Sequence, residues 1–367
     1  MSRAVAEIDL GAISRNCGAL KAATNGSLLC AVVKADGYGH GMKSVAEAAL
    51  AGGADWLGVA ATSEGLALRD LGFDGPVLVM GAVERVDIPV LATAGCDFVV
   101  WTQAAAEWAK SASGARVHVK LDSGMGRLGT RDHDEAVGIA RDIHQSSVAE
   151  LVGVTTHFAT ADDREDGGFL EEQSARFSAF AGAVKEFAPE VIAHAANSAA
   201  TLRLPASHHD MVRCGVGIYG LDPFQSDPAV SGLEPAMTFK THLASVKPVK
   251  PGESVGYGRQ FIAEAETLIG TCPVGYADGV TRLVGGRAHC LVGGRRCPVV
   301  GRVSMDNIAV DLGPNSTADV GEEVTLFGRQ GDKRILIEEW AGAAETINYE
   351  IATGIGGRTE FKYSSGQ

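Results

Sequence analysis

The segment that decides the fold runs from residue 28 to residue 41 and reads Leu28-Leu29-Cys30-Ala31-Val32-Val33-Lys34-Ala35-Asp36-Gly37-Tyr38-Gly39-His40-Gly41. Its first six residues are continuously apolar, which is typical of a strand buried on both faces. A lysine at the end of such a strand loses part of its hydration, so its pKa falls below about 10.4 and its amine suits a base or a nucleophile. From position alone, an ordinary lysine at the rim of a sheet is an equally good interpretation of Lys34.

Seven more short apolar runs precede residue 220, and segments with helical spacing of apolar residues separate them. The eight predicted strands are Leu28–Val33, Trp56–Val59, Val77–Met80, Phe98–Trp101, Val117–Leu121, Leu151–Thr156, Val191–Ala193 and Met211–Val216. Alternation of strand and helix indicates an α/β fold with parallel strands. The count of eight favours a (β/α)8 TIM-type barrel over an open sheet, and in such a barrel the chemistry lies at the carboxyl ends of the strands.

The pattern changes after about Glu234. Short β-rich runs appear there, separated by Pro251-Gly252, Gly285-Gly286 and Gly293-Gly294, which are turn signals. We therefore expect a barrel domain over residues 1–232 and a mainly β C-terminal domain over residues 233–367. The first residues, Ala4–Leu10, are expected to pair with the β domain rather than with the barrel.

Composition limits the partners of this chain. It has 32 Lys and Arg against 45 Asp and Glu, a formal net charge of −13, which argues against binding nucleic acid or an anionic membrane. The seven cysteines are scattered and form no C-x-x-C pair, so we expect neither a disulfide framework nor a thiolate metal site, and no metal. The sequence shows no secretory signal and no membrane-spanning run, which favours the cytoplasm and a small polar ligand.

The segment around Lys34 resembles the lysine motif of the alanine racemases, enzymes that depend on pyridoxal 5'-phosphate (PLP). Six further segments resemble motifs of that family and occur in the family's order along the chain. They are Gly124-Met125-Gly126-Arg127-Leu128-Gly129, Thr156-His157-Phe158-Ala159, Asn197-Ser198-Ala199-Ala200, Arg213-Cys214-Gly215-Val216-Gly217-Ile218-Tyr219-Gly220, Gly275-Tyr276-Ala277-Asp278-Gly279 and Gly301-Arg302-Val303-Ser304-Met305-Asp306. The resemblance implies a PLP-binding barrel followed by a β domain, acting as a homodimer with shared active sites.

The implied activity is an isomerase that interconverts L-alanine and D-alanine and supplies D-alanine for peptidoglycan. An amino-acid α-proton is too weakly acidic for a side-chain base alone, and the conjugated cofactor disperses the charge that its removal leaves. Inversion also needs a base on each face of the substrate. The resemblance makes Lys34 one catalytic base and the residue that binds the cofactor covalently, and makes Tyr276 from the other subunit the second base.

The resemblance also implies the residues around the two bases. Arg213 faces the ring nitrogen of the cofactor, and its phosphate is bound by Tyr38, Ser198, Gly215, Val216 and Tyr349. Arg127 pairs with the substrate carboxylate, and the backbone amide of Met305 assists from the partner subunit. Supporting positions are Lys120, His157, His194, Asn197 and Asp306. Lys120 aligns with a lysine that is often carbamylated, and an ordinary ammonium group pairing with Asp122 is the alternative.

Two enzyme classes and one binding protein compete with this interpretation. A racemase of serine or another small amino acid stays open, because Gly279 is followed by Val280-Thr281-Arg282 where the family commonly has Tyr-Pro-Arg. A PLP-dependent decarboxylase of the same architecture is disfavoured by Arg213 and Tyr276. A PLP-binding homeostasis protein resembles the barrel but lacks the β domain that carries Tyr276 and Met305.

Overall fold

The computed structural model describes residues 2–24 and 26–365, so the outermost residues of the two predicted domains, 1 and 367, lie outside the described residues. The described chain divides into two compact units. The barrel unit contains residues 14–37 and 41–218, and the β unit contains residues 2–13, 38–40 and 219–365. The domain boundary predicted between residues 232 and 233 stays a prediction.

The strands, numbered along the chain, are β1 (Val5–Asp9), β2 (Leu28–Val32), β3 (Trp56–Val59), β4 (Val77–Val79), β5 (Asp97–Val100), β6 (Arg116–Lys120), β7 (Glu150–Thr155), β8 (Ile192–His194), β9 (Met211–Cys214), β10 (Met237–His242), β11 (Ser245–Val249), β12 (Ser254–Val255), β13 (Phe261–Ile262), β14 (Thr267–Cys272), β15 (His289–Val292), β16 (Arg295–Val300), β17 (Ile308–Gly313), β18 (Glu323–Gln330), β19 (Lys333–Ile335) and β20 (Glu360–Ser364). The helices are α1 (Leu10–Ala23), α2 (Lys34–Gly39), α3 (Met42–Ala51), α4 (Thr62–Asp70), α5 (Ile88–Thr93), α6 (Gln103–Lys110), α7 (His133–His144), α8 (Phe169–Lys185), α9 (Ser198–Arg203), α10 (Ile337–Ala343) and α11 (Asn348–Gly354).

Eight parallel strands form the barrel unit, in the order β8-β7-β6-β5-β4-β3-β2-β9. The two ends of this order approach each other, since the Asp210 amide donates to the Ala193 carbonyl at 3.0 Å and the Arg213 amide to the Ala196 carbonyl at 2.8 Å. These bonds make the barrel nearly closed, which confirms the predicted fold class. All eight predicted strands are present, and their ends differ from the prediction by at most two residues.

An apolar cluster fills the interior of the barrel. Its buried members come from six of the eight strands, and they are Cys30, Trp56, Leu78, Val99, Val152 and Met211. Burying an apolar side chain of this size stabilises a fold by about 1.5–3 kcal/mol, so these residues contribute strongly to barrel closure. The cluster leaves the carboxyl ends of the strands for polar side chains.

The β unit is built on one sheet in the order β11-β14-β17-β16-β15-β18-β10-β1-β20, with β19 paired to β18. Burial alternates along β10 and β17, as expected for strands with one face on the core. Strand β1 pairs antiparallel with β10 and parallel with β20, so the first residues join this sheet as the sequence indicated. The predicted mainly β C-terminal domain is confirmed.

Within residues 2–24 and 26–365, no helix is both long enough and apolar enough to cross a membrane.

Candidate active site

Lys34 begins a left-handed helical turn directly after β2. Ala35, Asp36 and Tyr38 have φ angles of 51°, 49° and 52°, and Gly37 between them has 62°. A left-handed conformation costs an L-residue about 1–2 kcal/mol, because Cβ approaches the following carbonyl oxygen. Hydrogen bonds hold this strained turn: Glu64 accepts from the Ala35 amide at 2.6 Å, and the Asp36 side chain accepts from the first amide of α3 at 2.7 Å. Strain of this kind concentrates at functional sites.

A cavity of about 200 Å³ lies at the carboxyl end of the barrel strands. Five of the residues predicted for the site line it, namely Lys34, Lys120, Arg127, His157 and Arg213, together with Ala60, Met80, Gly81, Val99, Leu128, Thr155 and Thr156. Four of these five side chains carry fixed or potential positive charge, although the whole chain is acidic. The cavity therefore suits an anionic group such as a carboxylate or a phosphate.

The lysines of the cavity are easier to deprotonate than lysines in water. Burial lowers the pKa of Lys34, and the Arg127 guanidinium lowers it further while Glu64 acts in the opposite direction. Burial and the guanidinium groups of Arg213 and Arg127 lower the pKa of Lys120 to about 8. Both amines therefore have an enlarged neutral fraction near neutral pH, which a base or a nucleophile requires.

Arg213 lies in β9 and is buried against neighbouring strands. Its Nη1 donates to Nδ1 and to the carbonyl of His194, both at 2.8 Å. Its Nη2 donates to the carbonyls of Thr156 and Ala195, at 2.7 and 2.9 Å, and lies 3.5 Å from Nδ1 of His157. No acceptor for Nε occurs among the residues that the structure describes. The guanidinium is thus fixed by protein acceptors while one N–H group stays available to a ligand in the cavity.

The two histidines bonded to Arg213 are neutral. Burial and the Arg213 charge lower the pKa of His157 and of His194 well below the ordinary value of 6.5. A neutral imidazole has one bare nitrogen that accepts a hydrogen bond, and the guanidinium can only donate. Each histidine therefore presents its Nδ1 lone pair to Arg213.

The chain turns from β9 into a short 3-10 segment at Gly215 and Val216, and Ser198 contacts this turn. Ser198 begins α9, and its Oγ accepts from the Gly215 amide at 3.0 Å and from the Gly217 amide at 3.2 Å. Asn197 caps the same helix by accepting from the Ala200 amide at 3.0 Å. The structure thus brings Ser198 and Gly215 into direct contact, next to Val216, and gives Asn197 a capping bond.

The remaining predicted residues belong to the β unit. The rings of Tyr38 and Tyr349 lie 6.2 Å apart between their centroids. Tyr276 and Met305 are 45% and 51% exposed, and their loops are joined by a bond from the Ala277 amide to the Met305 carbonyl at 3.1 Å. Asp306 pairs with Arg358 at 2.8 Å. The roles of all these residues stay predictions.

Asp122 is occupied by groups other than Lys120. Its carboxylate accepts from the amides of Gly124 and Gly126 and from Nε of Arg131, all at 3.0–3.1 Å. Among the described side chains, Lys120 forms no ion pair with Asp122. The alternative in which Lys120 is an ammonium group held by Asp122 therefore lacks its contact in this structure.

Sequence reasoning missed three polar residues of the barrel unit. Glu64 anchors the turn after Lys34 and also accepts from the amides of Ala60 and Ala61, at the start of α4. Asp97 and His118 form a buried hydrogen bond inside the barrel. A signal for His118 was present, because it lies two residues before Lys120 in a strand and therefore points to the same face.

A nearly closed parallel barrel with easily deprotonated lysines in a cationic cavity at its carboxyl end defines an enzyme that handles a small anionic or zwitterionic molecule. The alanine racemase N-terminal domain model matches residues 8–223, and the alanine racemase C-terminal domain model matches residues 236–363. The chain belongs to the alanine racemase family.

Similar proteins cover almost the whole chain. An alanine racemase of Symbiobacterium thermophilum is 41% identical over 362 residues, which are 96% of this chain and 95% of the relative. Alanine racemase 1 of Bacillus subtilis is 42% identical over 360 residues, 96% of this chain and 91% of the relative. The crystal structure of alanine racemase from Streptomyces lavendulae has a TM-score of 0.95 at 38% identity, and covers 100% of this chain and 98% of that one.

Proposed function

We propose that this protein is a PLP-dependent alanine racemase, an isomerase that interconverts L-alanine and D-alanine. The observation that carries the proposal is the cavity in which Lys34 lies with Lys120, Arg127, His157 and Arg213. Family membership and about 40% identity to alanine racemases over nearly the full length support the same reaction. Neither the decarboxylase alternative nor a serine racemase has comparable support.

The residues present fit PLP. Arg213 lines the cavity, its Nε–H has no acceptor among the described residues, and a group that only donates is complementary to an unprotonated pyridine nitrogen. Lys34 would bind the aldehyde carbon, and the phosphate would be held by Ser198 with its neighbours Gly215 and Val216, and by Tyr38 and Tyr349. Bound there, the cofactor would supply the electron withdrawal that makes the α-proton of alanine acidic enough to remove.

Lys34 serves as the base on one face of the substrate. Its lowered pKa gives a neutral amine that accepts a proton from the α-carbon and returns it there. A single base would mostly return the proton to the side from which it came. Racemisation therefore needs a second base on the opposite face, and we assign that role to Tyr276 of the partner subunit.

The exposure of Tyr276 and Met305 supports a homodimer with shared active sites. Both side chains are about half exposed in one chain and lie on adjacent loops, so a second copy can receive them. Large exposed apolar side chains that lie together are typical of association surfaces. With its Nδ1 lone pair directed to Arg213, the neutral His157 carries its hydrogen on Nε2, and this N–H would donate to the phenolate oxygen of the partner subunit's Tyr276 and stabilise the deprotonated form.

Substrate recognition is assigned to Arg127, whose planar donors match the carboxylate of alanine. The backbone amide of the partner subunit's Met305 would assist. We propose that Lys120 is carbamylated, because its pKa of about 8 leaves a neutral amine for carbon dioxide. The resulting negative group would then lie among the guanidinium groups of Arg213 and Arg127, and would hold Arg127 in place.

The expected biological setting follows from the reaction. D-alanine from this enzyme would enter peptidoglycan, and the protein would act in the cytoplasm. The seven cysteines, all buried free thiols, support a reducing compartment. We also propose a barrel domain ending near residue 232, with the β domain following from 233.

Purified protein loaded with PLP should racemise L-alanine and D-alanine, and should turn over serine at least tenfold more slowly. Lys34→Ala should remove both activity and the absorbance of the lysine-bound cofactor. Tyr276→Phe should keep the absorbance while slowing proton removal from L-alanine. Tyr257→Phe is the matched control, because Tyr257 is 70% exposed in the same unit and should leave turnover unchanged.

A mixed dimer separates a shared site from a site within one chain. Homodimers of Lys34→Ala should be inactive and homodimers of Tyr276→Phe should be slow, yet a heterodimer of the two contains one intact site if the two bases come from different subunits. We expect activity to return in isolated heterodimers. Absence of recovery in a confirmed heterodimer would contradict the shared site, and absence of alanine racemisation in the wild type would contradict the function.

A further inference from the structure

A chain of buried polar side chains crosses the apolar interior of the barrel below the cavity. Nε2 of His194 lies 2.7 Å from Nδ1 of His118, and Nε2 of His118 lies 3.1 Å from Oδ2 of Asp97. Together with the bond from Arg213 to His194, these contacts connect four residues on β9, β8, β6 and β5. The exposed fraction of each is 5% or less. Burying polar groups in an apolar core is costly unless every one is bonded, so this chain is a specific feature of the sequence.

The hydrogen atoms in this chain can be arranged in only one order. Arg213 only donates, so Nδ1 of His194 accepts and its hydrogen lies on Nε2. That hydrogen is donated to Nδ1 of His118, whose own hydrogen is then on Nε2 and is donated to Asp97. The carboxylate is an acceptor and ends the series. Both imidazoles are therefore neutral Nε2–H tautomers. The donor Arg213 at one end and the acceptor Asp97 at the other both require that each hydrogen bond be donated in the direction of Asp97.

The barrel has space built for His118. A Cβ atom at Gly153, the register partner of His118 on β7, would lie 2.1 Å from Nδ1 of His118. The ring also makes an edge contact with Trp56, with 5.7 Å between centroids. Glycine on one side and an indole on the other hold the ring where Nδ1 meets His194.

The outer end of the chain is anchored at the amino ends of the strands. Oδ1 of Asp97 accepts from Nε of Arg116 at 2.8 Å, and Nη1 of Arg116 pairs with Glu150 at 2.6 Å. These three are the first residues of β5, β6 and β7. Asp97 is therefore held in place by the Arg116 guanidinium, and no carboxylate among the described residues contacts Arg213 directly. Asp97 is instead connected to Arg213 through the hydrogen bonds of His118 and His194.

We propose that Asp97 and His118 are positioning residues for Arg213, acting through the directed hydrogen bonds Arg213 to His194, His194 to His118 and His118 to Asp97. The carboxylate polarises both imidazoles, so Nδ1 of His194 becomes a stronger acceptor and holds the guanidinium in one orientation. The effect on catalysis rests on the proposed function, since it acts on the N–H that Arg213 presents to the cofactor. The order of the hydrogens does not depend on that function.

The first test uses protein with ¹⁵N-labelled histidine and no cofactor. Two-bond ¹H–¹⁵N correlation spectra near neutral pH should show His118 and His194 as Nε2–H tautomers, each with a bare Nδ1. An Nδ1–H tautomer at either residue would overturn the proposal. In Asp97→Asn, the Nδ1 resonance of His194 should move toward that of an imidazole nitrogen accepting no bond. Asp55→Asn is the matched control, since Asp55 is a carboxylate of the same unit that pairs with Lys21 at 2.5 Å, outside this chain, and its loss should leave both tautomers unchanged.

The second test measures turnover in the holoenzyme. Asp97→Asn and His118→Phe should lower kcat on the order of tenfold or more with KM changed by less than about twofold, as when a carboxylate that orients a histidine is lost. Asp55→Asn should stay within about twofold of the wild type in both kcat and KM. Unchanged kcat in folded Asp97→Asn and His118→Phe would overturn the positioning role. A wild type that does not racemise alanine would refute the proposed function, while the tautomer result would still decide the hydrogen-bond order.

Discussion

Replacing Ala35 by glycine should stabilise this protein, although glycine in a helix normally destabilises. Ala35 is exposed and has a φ of 51°, which is a left-handed conformation that alanine adopts only at a cost. Glycine has no Cβ and adopts the same conformation without steric penalty. The matched control is Ala179→Gly, which is also exposed but lies in the right-handed helix α8 of the same unit.

The expected magnitudes follow from the two backbone conformations. The left-handed turn costs Ala35 about 1–2 kcal/mol, which glycine recovers. Glycine also gives the unfolded chain more freedom, and this opposes the gain by about 0.5–1 kcal/mol. The net effect of Ala35→Gly is a rise of about 0.5–1 kcal/mol in the free energy of unfolding. Ala179→Gly should lower it by about 1 kcal/mol, so the two variants differ by about 1.5–2 kcal/mol with opposite signs.

Urea unfolding followed by tryptophan fluorescence measures this difference. Three of the four tryptophans, Trp56, Trp101 and Trp108, belong to the barrel unit that contains both substitutions. Each variant is compared with the wild type at the same slope of free energy against urea concentration. If Ala35→Gly destabilises as much as Ala179→Gly, the strain assigned to the turn after Lys34 does not exist, and the reasoning is refuted.

Three further substitutions test other parts of the structure. Burial raises the pKa of Glu338, so its charged form destabilises the folded protein above that pKa. Glu338→Gln should therefore raise the free energy of unfolding in urea on the order of 1 kcal/mol at pH 8, and this gain should shrink as the pH falls to the ordinary pKa of Glu. A gain that stays constant with pH would contradict the assignment. Arg213→Lys should lower the free energy of unfolding by about 2–3 kcal/mol in the same assay, because the three N–H donors of a lysine cannot satisfy all the acceptors that now bind the guanidinium. A change below about 0.5 kcal/mol would contradict this expectation. Native mass spectra in bicarbonate should show a carbamate that increases as the pH rises through about 8 and disappears in Lys120→Ala; its persistence there would place it elsewhere.

The barrel was predictable because its signal is local. Each strand is a short run buried on both faces, and each helix has its own apolar spacing, so eight units could be counted along the chain. The strand ends were less accurate: β9 stops at Cys214 where the apolar run continues to Val216. The chain turns there into a 3-10 segment whose amides bond to Ser198, a residue that lies outside the window in which the strand was recognised.

The left-handed conformation of the turn after Lys34 could not be predicted from the sequence. The glycines at 37, 39 and 41 indicated a tight turn, but Ala35, Asp36 and Tyr38 carry side chains that disfavour positive φ. Their conformation is imposed by bonds to distant groups, as when Glu64 accepts from the Ala35 amide. A local pattern expresses the preferences of a segment, whereas strain exists only where tertiary contacts override those preferences.

The role of Lys34 shows why the candidate site needed the structure. Its own segment left a rim lysine and a chemically active amine equally open, because an ordinary lysine can follow a buried strand. What lowers its pKa is desolvation together with Arg127, which arrives from a loop more than ninety residues away, and what opposes this is Glu64 from α4. The net charge of −13 describes the whole chain and gives no sign of the cations around that cavity. The acidity of an amine is therefore a property of the assembled barrel end, where strands that are distant in sequence place their cations around one another.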